Sequence, residues 1–331
     1  MTTTSASGPA LAPLFAGFDA LLLDLDGVVY VGDEPVPHAV AVLLAARAAG
    51  AVTAYVTNNA SRPPGVVAEH LRSFGLDVDA HDVVTSAQAG AREVAARCGA
   101  GSRVLAVGGP GVAAAAVARG LVVVSRASDA PDAVLMGFGP DVGWRDLADA
   151  SYAVSAGALF VATNTDLTIP TAAGIAPGNG TLVAAVVAAT GCAPLVAGKP
   201  YAPLIEESVE RVGAQRPLIV GDRLDTDIEA GRRCGIATLL VMTGVTDVAT
   251  LLRAAPAQRP TFVAADLRGL MTPAEQVVVT QPGDSAPAGP LAALRRACRA
   301  SWAAADSGVP YRLAEPDLAV LVDEVQRALA H

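Results

Sequence analysis

The amino-acid sequence predicts an α/β protein in which helices cover a parallel sheet. Across residues 20–244, short β-branched or leucine-rich runs alternate with longer alanine-rich stretches of helical pattern. The runs are almost continuously apolar, as expected of strands that are buried on both faces. A second alternating block, between about residues 81 and 194, is large enough to bury a core of its own.

The apolar runs predict the strands, and the helical patterns with glycines at their ends predict the helices. Strands are predicted at residues 21–25, 52–57, 218–220 and 237–241, and helices at residues 39–48, 66–74, 202–212 and 226–234. Gly50 and Gly235 follow the first and last of these helices and are typical C-terminal stops. In the second block, strands are predicted at residues 104–107, 121–124, 134–136 and 159–162, and helices at residues 87–98, 112–119, 145–155 and 182–190.

The C-terminal part of the chain differs in composition. Residues 282–290 are rich in proline, glycine, alanine and serine, which is typical of a linker. Residues 291–305 and 316–330 have helical patterns. The sequence therefore predicts an extension over residues 273–331, and it leaves the role of that extension open.

Composition excludes several functional classes. Of the 331 residues, 52% are hydrophobic and the mean hydropathy is +0.45, so the chain folds around a core rather than staying disordered. The net charge of −9 argues against a surface for nucleic acid or for an anionic membrane. Small ligands and other proteins remain as partners, and a homo-oligomer stays open.

Targeting signals also bear on location. The first basic residue is Arg47, so the N-terminus lacks the charged region of a secretory signal. The longest charge-free stretch, residues 167–198, contains only a short apolar block, far below the ~20 residues of a membrane helix. The four cysteines have no zinc or disulfide spacing, so we expect reduced, mostly buried thiols and a cytoplasmic protein.

Two residue types are rare enough to be informative. Of the 23 basic residues only Lys199 is a lysine, in a chain that uses arginine everywhere else. A lone lysine of this kind is expected where arginine cannot serve. Asparagine is also scarce, and the chain has four: Asn58, Asn59, Asn164 and Asn179.

Polar side chains follow the predicted strands of the first block. Asp24 and Asp26 end an apolar strand and are followed by Gly27. Two carboxylates at such a strand end are costly unless a cation or a substrate uses them, and open α/β sheets bind their ligands at that edge. Thr57, Asn58 and Asn59 end the next strand, residues 198–200 (GKP) precede a helix, and residues 221–227 (GDRLDTD) follow a third strand.

Taken together and in this order, the four motifs resemble the haloacid dehalogenase-like phosphohydrolases over residues 18–271. The strings DLDGVVY, TNNASRP, GKP and GDRLDTDI are similar to the branch that contains nagD-type nucleotidases and pyridoxal phosphate, phosphoglycolate and glycerol 3-phosphate phosphatases. The resemblance implies a doubly wound, Rossmann-like core at residues 18–80 and 195–272. It also implies a cap domain at residues 81–194, since Lys199 comes 142 positions after Thr57. Residues 1–17 are predicted to be a flexible N-terminus.

The resemblance also implies the chemical roles. Asp24 is the expected nucleophile, forming an aspartyl phosphate, and Asp26 the general acid and base. Thr57 and Lys199 hold the phosphoryl oxygens. The expected ligands of Mg²⁺ are Asp24, the Asp26 backbone carbonyl and Asp222, and Asp227 orients Lys199 or a metal-bound water from behind. Substrate contacts are expected from Gly27, Asn58, Asn59, Asn164 and Asp166.

Several positions allow a structural interpretation as well. Asn164 and Asp166 lie in a polar, glycine-rich stretch, residues 163–181, where turn chemistry competes with substrate binding. Asp225 is interpreted as a helix N-cap and Arg223 as a solvated or structural charge. Residues 108–111 (GGPG) lack a nucleotide-loop pattern and predict a strand-to-helix turn.

The predicted function is hydrolysis of a small phosphomonoester, with glycerol 3-phosphate as the first choice of substrate. Phosphoglycolate, pyridoxal phosphate and nucleoside monophosphates are the alternatives. A phosphotransferase or mutase, and a binding or scaffolding protein that has lost turnover, are the competing classes. Intact motifs argue against the last of these.

Overall fold

The structure is a computed structural model that describes residues 11–171, 173–279, 291–308 and 315–330. Its strands are β1 (Ala20–Leu23), β2 (Tyr30–Val31), β3 (Glu34–Pro35), β4 (Thr53–Thr57), β5 (Val83–Thr85), β6 (Arg103–Val107), β7 (Val122–Val124), β8 (Ala133–Met136), β9 (Leu159–Ala162), β10 (Thr168–Thr171), β11 (Gly174–Pro177), β12 (Leu195–Val196), β13 (Pro217–Gly221), β14 (Ala237–Val241) and β15 (Phe262–Ala264). Its α-helices are α1 (Ala39–Ala48), α2 (Pro64–Ser73), α3 (Ser86–Cys98), α4 (Pro110–Ala118), α5 (Trp144–Ser155), α6 (Asn179–Thr190), α7 (Ala202–Val212), α8 (Glu229–Cys234), α9 (Val248–Leu252), α10 (Ala274–Val277), α11 (Ala292–Asp306) and α12 (Glu315–Ala330).

The chain divides into two compact units. Unit 1 comprises Met1–Thr53 and Ala214–His331, and unit 2 comprises Ala54–Gly213. The domain boundaries expected from the sequence, at about residues 81 and 194, stay a prediction. The predicted fold class is confirmed, because both units contain parallel strands with flanking helices.

Unit 1 is built on four parallel strands in the order β15-β14-β13-β1. All four residues of β1 and all five of β13 are buried, which explains why these strands are apolar along their whole length. In the register of this sheet Leu23 lies beside Val220, so β1 and β13 end at the same edge. The residues that follow these two strands are therefore brought together.

The N-terminal segment of unit 1 is ordered from an earlier point than predicted. A 3₁₀ turn, Leu14–Gly17, buries Leu14 and Phe15, and the Leu14 amide donates to the Thr272 carbonyl at 2.8 Å. The predicted flexible segment of residues 1–17 is thus wrong for this turn, because two large apolar side chains stabilise it. The first ten residues of that prediction lie outside the described residues.

The C-terminal extension belongs to the core of unit 1. From α11, Leu294, Cys298 and Trp302 are buried in one cluster with Leu251 and other residues of the sheet and α9. The Trp302 indole also donates to the Leu251 carbonyl at 3.1 Å. From α12, buried Leu321 and Val325 join the same cluster, so both predicted helices are confirmed. The predicted linker at residues 282–290 lies outside the described residues.

Unit 2 contains a five-stranded parallel sheet in the order β12-β9-β8-β6-β7 and a parallel pair, β4 and β5. Helices α5 and α6 bury their apolar faces against β6, β8 and β9. The glycine-rich stretch expected as a loop at residues 163–181 instead contains the antiparallel hairpin β10–β11 and the start of α6. The strands β10 and β11 were not predicted because they are largely exposed and lack a buried apolar face.

The cysteines and the helices bear on two further expectations. All four cysteines are free, as predicted, but only Cys298 is buried, whereas Cys192 is exposed and the other two are half-buried. The expectation of mostly buried thiols is therefore wrong. Among the described helices, none combines the length and the apolar character that crossing a membrane requires.

Candidate active site

Three carboxylates of unit 1 converge at the shared edge of β1 and β13. Asp24 follows β1, Asp222 follows β13, and Asp227 lies in the π-helical turn Leu224–Ile228 that comes next. Carboxylate oxygens of the three residues lie within 4.8 Å of one another, and Asp222 and Asp227 are buried. The Asp24 amide donates to the Val220 carbonyl at 2.9 Å, which continues the sheet up to this position.

Such a cluster fits a hard divalent cation. Burying several carboxylates close together is unfavourable unless a cation balances their charge. Oxygen donors of this kind are those that Mg²⁺ prefers. Asp24 and Asp222 were predicted as ligands, and Asp227 as a residue that orients Lys199 or a metal-bound water. The structure places all three carboxylates in one cluster, and which of them would bind the metal stays a prediction. The part played by the Asp26 carbonyl stays a prediction.

The loop after β14 holds Asp222, and sequence reasoning did not identify it. The Val245 amide donates to Asp222 Oδ2 at 2.7 Å, and the Thr246 hydroxyl donates to the Asp222 carbonyl at 2.6 Å. A Cβ on Gly244 would lie 1.9 Å from Asp222 Oδ2, so only glycine fits there. The signal was available: like the motif strands, β14 is buried and ends in a segment (MTGVT) of threonines around a glycine.

Gly27 lies against the same Asp222 oxygen, next to Gly244. Its φ of +82° is unfavourable for other residues, and a Cβ there would lie 2.7 Å from Asp222 Oδ2. The Thr243 hydroxyl donates to the Gly27 carbonyl at 2.5 Å, which ties the loop after β1 to the loop after β14. The neighbouring Asp26 is exposed, and its exchange of protons with substrate and water stays a prediction.

Asp225 does not have the role that the sequence suggested. The residue before the π-helical turn is Arg223, so the predicted N-cap at Asp225 is wrong. Asp225 accepts two hydrogen bonds from the Arg223 guanidinium, at 3.1 and 2.9 Å, which confirms Arg223 as a structural charge. Partial burial opposes ionisation of Asp225, but the bonds from Arg223 hold its pKa below the usual value. The capping contact comes from Asp227, whose Oδ2 accepts from the Arg223 amide at 3.2 Å.

In unit 2, the predicted threonine and its two neighbours form the turn after β4. Thr57 is buried, and its Oγ1 accepts from the Asn59 amide at 3.0 Å. The Asn59 Oδ1 accepts from the Ser61 amide at 2.9 Å and from the Ser61 hydroxyl at 2.7 Å. Asn59 is therefore engaged in shaping the turn, and its predicted contact with substrate stays a prediction.

Lys199 is buried beside this turn. Only 4% of its surface is exposed, and its Nζ donates to the Val56 carbonyl at 3.2 Å. The Asn58 side chain accepts from the Lys199 amide at 2.8 Å and donates to the Lys199 carbonyl at 3.0 Å. The lysine that composition singled out is thus held within a buried hydrogen-bond network.

Two further predicted residues reach the same network. Asn164 Nδ2 donates to the Asn58 carbonyl at 2.7 Å, and Asp166 accepts from Asn58 Nδ2 at 3.2 Å. Unit 2 therefore brings together Asn58, Lys199, Asn164 and Asp166, which are 141 residues apart at most in the chain.

The GGPG segment forms the predicted strand-to-helix turn. It joins β6 to α4, and the Gly111 amide donates to the Ser61 carbonyl at 2.9 Å. A Cβ on Gly111 would lie 2.4 Å from the Ala60 carbonyl oxygen. These glycines let the loop after β4 and the start of α4 approach closely.

Unit 2 also carries a buried charge cluster and a cavity away from these residues. Glu207 on α7 is bound by Arg119 and Arg211, at 2.6 and 2.5 Å, and Arg92 lies 3.6 Å away. A cavity of about 570 Å³ next to this cluster is lined by residues of α2, α3, α4 and α7 and of the 3₁₀ turn Ala80–Asp82. None of its lining residues is a predicted site residue.

Comparison with known proteins agrees with this geometry. A family described as haloacid dehalogenase-like hydrolase matches residues 21–122, and one described as HAD-hydrolase-like matches residues 196–270. D-glycerol 3-phosphate phosphatase of Mycobacterium tuberculosis is 46% identical over 266 residues, which are 80% of this chain and 74% of that protein. Acid sugar phosphatase of Staphylococcus saprophyticus is 36% identical, over 69% of this chain and 88% of that protein.

Solved structures give the same result. Glycerol phosphate phosphatase from Mycobacterium tuberculosis, solved in complex with magnesium, superposes with a TM-score of 0.86 at 39% identity, over 96% of this chain and 99% of that one. A p-nitrophenyl phosphatase from Archaeoglobus fulgidus gives a TM-score of 0.72 at 28% identity, over 77% of this chain and 98% of that one. With its motifs, its carboxylate cluster and these relatives, the chain belongs to the haloacid dehalogenase-like hydrolases.

Proposed function

We propose that this hydrolase is a Mg²⁺-dependent phosphatase that cleaves glycerol 3-phosphate through an aspartyl phosphate at Asp24. The observation that carries the proposal is the cluster of Asp24, Asp222 and Asp227 at one sheet edge, with oxygens within 4.8 Å of one another. The similarity to the Mycobacterium tuberculosis glycerol 3-phosphate phosphatase supports the substrate.

The metal is assigned to Asp24 and Asp222, with Asp227 beside them. When bound, Mg²⁺ neutralises charge on the carboxylates and on the phosphoryl oxygens, which lets an anionic nucleophile approach an anionic substrate. The 2.7 Å bond from the Val245 amide orients the Asp222 carboxylate.

The protein residues then divide the reaction into two steps. An Asp24 carboxylate oxygen attacks phosphorus, the bond from phosphorus to the glycerol oxygen breaks, and Asp26 gives its proton to that oxygen. Asp26 next takes a proton from water, whose oxygen attacks phosphorus and displaces Asp24. This assignment rests on the motif resemblance, and the exposed position of Asp26 supports it.

Thr57 and Lys199 are assigned to the phosphoryl oxygens, where charge develops in the transition state. The use of lysine rather than arginine is supported by its burial, since a compact ammonium fits where a planar guanidinium does not. Lys199→Arg should therefore lose nearly as much kcat as Lys199→Ala. An arginine variant with wild-type kcat would show that a generic positive charge is enough.

An aliphatic substrate is favoured over a ring-bearing one. Residues 163–181 contain no aromatic side chain. A pyridine or a nucleobase normally gains ~1–3 kcal/mol from stacking on an aromatic partner. Gly27, Asn164 and Asp166 are proposed to face this small substrate.

The test is a comparison of kcat/KM for glycerol 3-phosphate, phosphoglycolate, pyridoxal phosphate and UMP at saturating Mg²⁺. We expect glycerol 3-phosphate to lead. A lead of tenfold or more for either ring-bearing compound, about 1.4 kcal/mol in the transition state, would overturn the aliphatic assignment.

Metal exchange tests the metal assignment separately. Chelation should abolish activity, and Mg²⁺ should restore it. Ca²⁺ should not, because its longer bonds of ~2.3–2.6 Å and higher coordination number allow both Asp24 oxygens to bind, which removes the nucleophile. Full activity with Ca²⁺ would contradict this arrangement.

The products of the reaction distinguish the competing classes. A phosphotransferase would yield a phosphorylated acceptor in place of inorganic phosphate, and a binding protein would yield neither. We also propose that the enzyme works in the cytoplasm, which its four free cysteines support, since thiols stay reduced there. Whether it forms a homo-oligomer stays open and is measured by light scattering.

A further inference from the structure

Three of the four asparagines in the chain form one continuous hydrogen-bond chain. Asn58 binds the backbone of Lys199, the Asn58 carbonyl accepts from Asn164 Nδ2 at 2.7 Å, and the Asn164 carbonyl accepts from Asn179 Nδ2 at 2.7 Å. Asn164 and Asn179 are buried, with 5% and 1% of their surfaces exposed. In a chain that has so few asparagines, this concentration calls for a physical reason.

The reason lies in what an amide offers that other side chains do not. Asn58 presents an acceptor to the Lys199 amide at 2.8 Å and a donor to the Lys199 carbonyl at 3.0 Å, so it satisfies both backbone groups of one residue. An aspartate lacks the donor, and an alanine lacks both groups. The contact therefore fixes the lysine backbone as a cross-strand partner would.

Backbone placement matters because the lysine stem is flexible. Four methylene groups allow the ammonium many positions, and its location depends on where the backbone is held. Gly198 adds to the constraint, since a Cβ there would lie 2.4 Å from the Thr163 carbonyl oxygen and 2.7 Å from Asn58 Oδ1. The loop before α7 is thus pressed against both Asn58 and the end of β9.

The chain continues into the segment that contains the hairpin β10–β11. Asn164 lies just before this hairpin, and Asn179 is the first residue of α6, just after it. Asn179 Nδ2 contacts the Asn164 carbonyl and also the Met136 carbonyl, at 3.4 Å, so it joins the two ends of the segment to β8. A shift of either end displaces Asn164 and, through it, the Asn58 carbonyl.

We propose that Asn58 is a positioning residue for Lys199, and that Asn164 and Asn179 hold Asn58 in place. The position of the lysine is therefore coupled to the two ends of the hairpin segment. The catalytic consequence rests on the proposed function, in which Lys199 holds the phosphoryl group. The placement of the lysine itself does not, and it can be measured without any substrate.

The single lysine makes that measurement direct. Protein grown with ¹⁵N-lysine gives one backbone amide resonance, which is the Lys199 N–H that donates to Asn58. In full-length enzyme we expect slow hydrogen exchange at this amide. Exchange should become at least about tenfold faster in Asn58→Ala, as the loss of one protecting hydrogen bond predicts, and faster to a smaller degree in Asn179→Ala.

Matched variants separate positioning from general damage. Ser102→Ala removes a hydroxyl bond to the Cys98 carbonyl in the same unit, outside the asparagine chain, and should leave the Lys199 resonance unchanged. Asn58→Asp is nearly isosteric and keeps an acceptor, and combining it with Asp166→Asn avoids placing two carboxylates in contact, so this double variant should fold even where Asn58→Ala does not. Its reference is Asp166→Asn alone. The double variant should shift the resonance relative to that reference, because the donor to the Lys199 carbonyl is gone.

Kinetics supply the second readout. Asn58→Asp in the Asp166→Asn background, compared with that background, and Asn179→Ala, compared with wild type, should lower kcat by about tenfold or more with little change in KM, since they displace a transition-state contact. An unchanged Lys199 resonance in both Asn58 variants would overturn the positioning role. A shift in the Asn58 variants with none in Asn179→Ala would overturn the coupling. If wild-type protein lacks phosphatase activity while the resonance behaves as expected, the proposed function fails and the positioning stands.

Discussion

Gly244→Ala is the substitution that best tests how the metal site is built. Gly244 has no positive φ, so the change acts by steric contact alone. The new Cβ would lie 1.9 Å from Asp222 Oδ2, 2.5 Å from its Cγ and 2.7 Å from its Cβ, whereas real contacts essentially never fall below 3.0 Å. Because Asp222 is 1% exposed and has no open side to turn towards, its carboxylate or the loop must shift by about 1 Å.

A displacement of that size is large for a catalytic ligand. Misplacement by about 1 Å can cost ~10²-fold in rate, or about 2.7 kcal/mol in the transition state, so kcat/KM should fall about 100-fold. The Mg²⁺ concentration for half-maximal activity should rise as well. Gly17→Ala is the matched control, because a Cβ there meets nothing within 4 Å and its activity should be that of wild type. Wild-type kcat/KM and metal dependence in the Gly244 variant would refute this reasoning.

Three further predictions concern stability and reactivity. Burial raises the pKa of Cys298 to about 12, so this thiol stays protonated at pH 8 and should not react with a disulfide reagent until the protein is denatured. Exposed Cys192 should react at once, and mass spectrometry of the labelled peptides distinguishes the two cysteines. Trp302→Ala should lower the free energy of unfolding by about 3–5 kcal/mol in a urea titration, since it leaves a cavity where α11 packs on the sheet. A loss below about 1 kcal/mol would show that the extension is dispensable for stability. Glu207→Ala should cost about 3–5 kcal/mol by the same assay because it removes the buried carboxylate that holds Arg211, whose side chain is 12% exposed. A stability within about 1 kcal/mol of wild type would show that water replaces the contact.

Much of the fold was predictable because buried strands have a clear pattern. The bounds of α1, α7, β9 and β14 match the prediction at both ends. Elements without a buried apolar face were missed, among them the hairpins β2–β3 and β10–β11, whose residues are mostly exposed. The predicted helix N-cap at Asp225 was wrong because the Asp225 carboxylate accepts a hydrogen bond from the Arg223 side chain instead of from a backbone amide of the helix.

The candidate site was predictable where residue chemistry is distinctive. Carboxylates after buried strands indicated Asp24 and Asp222, and rarity indicated Lys199 and the asparagines. The loop Thr243–Thr246 was missed because its contribution comes from backbone amides, hydroxyls and the small size of Gly244, which leave only a weak signal in the sequence, the segment MTGVT after a buried strand. For Asn58, the predicted contact with substrate stays a prediction, and the bonds between its side-chain amide and the Lys199 backbone were not predictable from the sequence.

The central claim is that Asp24 becomes covalently phosphorylated, and trapping the phosphoenzyme tests it most directly. With ³²P-labelled p-nitrophenyl phosphate, whose leaving group needs no proton, Asp26→Asn should still form the intermediate but hydrolyse it slowly. Acid quenching should then leave label on the protein, in a peptide containing Asp24, and hydroxylamine should release it. The double variant Asp24→Asn, Asp26→Asn should carry none. Label at another residue, or none in a protein that still releases p-nitrophenol, would contradict the mechanism.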